Sequence, residues 1–128
     1  MAPKERWATE TEAKDYTAAA TYLSLITDER TRGRLISALR RAPVTHHRAN
    51  DLLRASQLPL LPADDPEVAK DLRKVKKGAT LAIVLLVRGR LGVSAPLTVA
   101  DGYHRICASY HIDEDADVLC RMVDLQKR

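Results

Sequence analysis

Apolar and polar positions change period several times along the 128-residue chain, and each change marks an element. Residues 1–14 are rich in Lys, Glu, Thr and Ala with no apolar period, and they read as a flexible leader. From Asp15, an acidic residue placed to cap a helix, Tyr16, Ala19, Ala20, Leu23 and Ile26 keep one apolar face. A second helix, capped by Asp28, carries Leu35, Ile36 and Leu39 and stops at Pro43. Together they predict an N-terminal helical hairpin over residues 15–43. In Leu58-Pro59-Leu60-Leu61-Pro62 the prolines forbid a helix and leave a stiff apolar connector, which puts Arg54 at the end of the preceding element. Asp65-Pro66 opens another helix, with Val68, Leu72 and Val75 as its buried stripe and Gly78 as its end. Leu81–Val87 shows no alternation at all, which suits a strand covered on both faces. A Gly-containing loop over residues 88–96 returns the chain to a second strand, Leu97–Ala100, predicted to lie antiparallel to the first. After Asp101-Gly102-Tyr103-His104-Arg105, the positions of Ile106, Cys107 and Tyr110 take helical spacing. Asp117–Val123 alternates weakly as a last strand, and residues 124–128 form a polar tail. The pattern is that of an α+β protein.

Composition narrows the class further. An apolar fraction of 45% fits one globular domain, the longest apolar run is far too short to span a membrane, and the N-terminus lacks a secretion signal, so the expected location is the cytoplasm. Cys107 and Cys120 stand in ordinary helix and strand patterns without C-x-x-C spacing and read as buried free thiols. His46 and His47 are adjacent, a spacing that on a helix turns them about 100° apart and cannot chelate one metal ion. Asp113, Asp115 and Asp117 imitate the start of a calcium loop, but Val118 stands where that loop needs Gly, so the segment reads as a solvated turn. With 21 basic and 17 acidic residues the surface is mixed rather than polycationic. Its basic stretches are the hairpin arginines and the Lys70–Lys77 face, each either a solvated helix face or a contact for nucleic acid.

The chemistry is concentrated in residues 101–105. A strand, a Gly turn and a helix present unpaired N–H groups and partial positive charge at the helix start, to which His104 and Arg105 add donors. Phosphate is the natural guest. Gly102 allows the sharp turn and leaves a ligand room to approach, and Arg105 is expected to face solvent until a ligand arrives. Asp101 is placed to hold a ribose hydroxyl, a metal-bound water or the helix cap itself.

The order of these segments resembles the ParB/sulfiredoxin fold over His47–Val123, with the hairpin outside the resemblance. Sulfiredoxins carry Gly-Gly-Cys-His-Arg at this turn, partition proteins Gly-Glu-Arg-Arg, and free-serine kinases Asp-Gly-His-Thr-Arg. The resemblance implies a small mixed sheet with packed helices over residues 44–123 and a nucleotide (ATP, ADP or CTP), with or without Mg2+, at the turn. Gly102, His104 and Arg105 match the sulfiredoxin residues, and Arg54 resembles the Arg that reaches the phosphates there. Tyr103 falls on the catalytic Cys, and a phenol cannot take over from a thiolate nucleophile. Asp101-Gly102 matches the kinase turn, which implies a carboxylate beside the transferred phosphoryl group. The implied function is nucleotide binding by Gly102, Tyr103, His104, Arg105 and Arg54, with Asp101 and His104 as catalytic residues of an NTPase or small-molecule phosphotransferase. The alternative is a non-catalytic accessory module that binds nucleic acid through the Lys70–Lys77 face, or a partner; under either reading a homodimer through the N-terminal helices is expected.

Overall fold

The computed structural model describes residues 5–91 and 95–126. Eleven elements follow in order among them: β1 (Arg6–Trp7), α1 (Ala13–Leu23), α2 (Glu29–Arg41), β2 (Thr45–Arg48), α3 (Ala49–Ser56), α4 (Pro66–Lys76), β3 (Thr80–Leu81), β4 (Val84–Arg88), β5 (Leu97–Asp101), α5 (Tyr103–Ile112) and β6 (Asp117–Asp124). The fold is α+β. Four strands form a mixed sheet in the order β2-β6-β4-β5, with β4 parallel to β6 and antiparallel to β5.

Strand β4 explains its own lack of alternation. Val84 and Leu86 point into a core shared with α3, α4 and α5, while Leu85 and Val87 point into a second core built with Tyr16, Ala19 and Leu23 of α1 and Leu35 and Leu39 of α2. Helices therefore cover both faces of the sheet, and an alternating strand would have put polar groups into one of the two layers. The hairpin of residues 15–43 thus shares a core with the strands that follow it. Its apolar stripes are used within the chain, which removes them from the homodimer contact expected there.

Five further expectations are corrected. In place of a flexible leader, Arg6–Trp7 pairs in parallel with Thr80–Leu81, and Trp7 packs against the first core; the leader's first four residues lie outside the described ones. Helix α1 begins at Ala13 rather than at Asp15, because the Asp15 carboxylate reaches back to accept from the Glu12 N–H at 3.3 Å. His46 and His47 lie on the exposed edge strand β2, opposite Leu119 and Val118, and not on a helix. The run Leu81–Val87 is broken: Leu81 pairs with β1, Ala82 and Ile83 leave the ladder, and the chain joins the main sheet only at Val84. At the other end β6 continues through Asp124, so the tail starts later than the fading alternation suggests.

Other local signals act as read. Asp28 accepts from Thr31 N at 2.7 Å, and Asp65 accepts from Glu67 N and Val68 N, with Pro66 in the first turn of α4. Gly78 ends that helix at φ +76°. The acidic turn is tied back to the fold by Arg48, which bonds Asp51 at 3.0 Å and Asp115 at 3.1 Å. No helix among the described residues is long and apolar enough to cross a membrane.

Candidate functional site

Strand β5 delivers Asp101 to the sheet's edge, and Gly102 turns the chain into α5 at φ +112°. No side chain caps this helix and its first turn carries no acid. Its opening N–H groups are therefore free to bind an external acceptor. They border a cavity of about 190 Å3 lined by Glu67, Lys70, Asp71 and Lys74 of α4 and by Asp101, Gly102, His104 and Arg105. Sites for whole drug-sized ligands run to about 300–1,000 Å3, so this volume fits a phosphoryl group and leaves a nucleoside outside.

The glycine's role differs from the one read in the sequence. A Cβ at Gly102 would stand 2.7 Å from Val84 Cγ2 and 3.0 Å from Arg105 Nη2. The missing side chain makes room for β4 and Arg105, not for a ligand, and the positive φ independently demands Gly.

Arg105 is the second correction. Its side chain is 17% exposed rather than facing solvent, and Nη2 donates to Asp101 Oδ2 at 2.7 Å, one turn back along the chain. Burial of both groups makes the pair cohesive, since either charge alone would be stranded. Burial pushes the Asp101 carboxyl up, with Arg105 pulling the other way. An aspartate held in this way orients the guanidinium and is poorly placed as a free base. Arg105 Nε is buried without a partner, so the guanidinium keeps an unused donor.

His104 lines the cavity, with its ring 5.5 Å from that of Tyr103. Tyr103 itself turns away: its hydroxyl donates to the Pro59 carbonyl, and its ring packs on the first core. His111 also bonds the connector, through Leu61 O at 2.7 Å, so α5 holds the Leu58–Pro62 segment from two points. Arg54 is not brought to the site. Its side chain is 75% exposed and lies 3.6 Å from Asp51 on the surface of α3. Thus Asp101, Gly102, His104 and Arg105 are assembled, whereas Tyr103 and Arg54 serve elsewhere.

The sequence reading missed Asp71. This residue is 8% exposed, lines the cavity, and makes no hydrogen bond or ion pair at contact distance among the described residues. Burial pushes its carboxyl up, with Arg105 and Lys74 drawing it down. A signal was present: Asp71 stands three residues after Val68 and four before Val75, within the apolar stripe of α4, where a charge is out of place unless it faces a site. Lys70 and Lys74, read as part of a solvated face, are exposed as expected and also line the cavity. Among the described residues no group of three or more His, Cys, Asp or Glu side chains is placed to hold a metal ion. Cys107 and Cys120 are fully buried, and burial raises both thiols. No family model, no curated protein and no solved structure matches the chain.

Proposed function

We propose that this chain is a nucleotide-binding protein that takes the terminal phosphoryl group of its ligand at the start of α5. One observation carries the reading: an uncapped helix start opens into a phosphate-sized cavity onto which Lys70, Lys74, His104 and Arg105 converge. Each supplies a donor or positive charge, and the helix dipole adds to them. His104 is the cavity's candidate for proton transfer, and Asp101 acts through Arg105 by fixing the guanidinium. Hydrolysis of a nucleotide or transfer of its phosphoryl group to a small acceptor is the reaction class in keeping with this set. The small volume that Lys70 and Lys74 border favours a small anion over an extended polyanion, which a spread basic face would track.

A thermal-unfolding panel of ATP, ADP, CTP and GTP, each with and without magnesium, tests the proposal. At 100 times its dissociation constant a ligand adds about 2.7 kcal/mol of stability, an easily measured shift. The expected result is stabilisation by at least one nucleotide that is lost in Lys70→Ala/Lys74→Ala. An equal shift in that variant, or no shift with any nucleotide, overturns the proposal.

A further inference from the structure

The cavity lining holds three carboxylates, Glu67, Asp71 and Asp101; Glu67 is exposed and Asp101 is paired with Arg105, which leaves Asp71 as the buried one that a plain anion site would exclude. Lysines, a guanidinium and helix N–H groups all donate, but an ionised Asp71 can only accept. The residues facing it are Glu67, Lys70 and Lys74 from its own helix, His104 and Arg105 from α5, and Asp101 from β5. Strand β3, also packed on α4, brings no titratable side chain. None of these residues bonds Asp71, and Asp101 is already taken by Arg105. The Asp71 carboxylate opens onto the cavity with no protein donor, so a ligand that brings one would take the place of solvent there.

We infer that the site selects a phosphoryl group carrying a proton, which it donates to Asp71, and rejects tetrahedral anions that have none. The inference rests on the phosphate-binding reading above and names the ligand's chemistry more narrowly. Inorganic phosphate keeps one proton across neutral pH, whereas a terminal phosphate ester, with its second ionisation near about pH 6, carries one in only a minor fraction of molecules at pH 7.5. Sulfate and phosphodiesters are fully ionised there. Either would set bare oxygen against the Asp71 carboxylate, so the backbone of a nucleic acid is excluded by the same device. Burial, which raises the Asp71 carboxyl, works in the same direction by making a shared proton favourable.

The test is isothermal calorimetry on the full chain at pH 7.5, titrating inorganic phosphate, sulfate and dimethyl phosphate into the wild type and Asp71→Asn. In the wild type, phosphate should bind at least tenfold more tightly than sulfate or the diester. In Asp71→Asn, whose amide donates, sulfate should rise to within about threefold of phosphate. ATP, whose terminal group is mostly unprotonated at pH 7.5, should compete for the site more strongly at pH 6.5 than at pH 8; competition that does not change over that range counts against the inference, and no competition at either pH overturns the nucleotide reading while leaving a free-phosphate site. Equal binding of phosphate and sulfate, or a preference unchanged in Asp71→Asn, overturns it while leaving the phosphate site standing. Failure of every anion, ATP included, to bind the wild type overturns both.

Discussion

Replacing Gly102 by Ala separates the two jobs of this residue from any role in ligand access. At φ +112° a residue with a Cβ is strained, at about 1–3 kcal/mol for a non-glycine held in such a region. The added carbon would also lie 2.7 Å from Val84 Cγ2 and 3.2 Å from Val84 Cβ, on a strand buried from both sides and unable to retreat. Overpacking of this kind adds about 1–3 kcal/mol, so the total loss should be about 2–6 kcal/mol. For a chain of this length each kcal/mol moves the midpoint by about 3–5 °C, which predicts a fall in Tm of at least about 6 °C. Urea unfolding followed by circular dichroism gives the free energy directly. Gly33 supplies the control, since it lies within α2 with nothing within 4 Å of an added Cβ. Gly33→Ala should therefore stabilise by about 0.5–1 kcal/mol. Wild-type stability in Gly102→Ala would refute the argument that this turn is packed against β4.

Other variants test separate parts of the structure. Arg105→Ala strands the Asp101 carboxylate and should destabilise by about 3 kcal/mol at neutral pH, measured by urea unfolding, rather than acting on ligand binding alone. Asp71→Asn should stabilise the free protein at pH 7. Because burial raises the folded-state value of Asp71, the wild type binds more protons folded than unfolded and loses stability as pH rises through the interval just above the ordinary carboxylate value of 3.8; the variant's advantage should vanish below that value. Cys107→Ala and Cys120→Ala should each destabilise by about 1 kcal/mol and leave nucleotide binding intact, and neither thiol should react with iodoacetamide before unfolding. Trp7→Ala should destabilise by about 2 kcal/mol if β1 is part of the fold, as followed by the unfolding midpoint.

Local signals were legible wherever a short stretch determined the outcome. The caps at Asp28 and Asp65, the doubly covered β4 and the turn at Gly102 all followed from residue type and spacing. What stayed hidden depended on partners distant in the chain. Arg6 and Trp7 look unstructured until Thr80 and Leu81 supply a strand to pair with, and His46–His47 become a strand only because β6 lies alongside. The same holds in the site. The turn at 101–105 announces itself, but Arg105 is buried by tertiary packing, Tyr103 is drawn off by Pro59, and Asp71 reaches the cavity from another helix. Arg54 could be placed at a helix end but not aimed, since its direction is set by Asp51 on the exposed side of α3.

The central claim is that a phosphoryl group sits at the start of α5, and chemical-shift mapping of the 15N-labelled chain with ADP tests it most directly. The amides of Tyr103, His104 and Arg105 should move first and furthest, followed by those around Lys70–Lys74 across the cavity. Largest shifts at another basic edge, such as Arg88–Arg90, or no shift at millimolar ADP, would contradict the account.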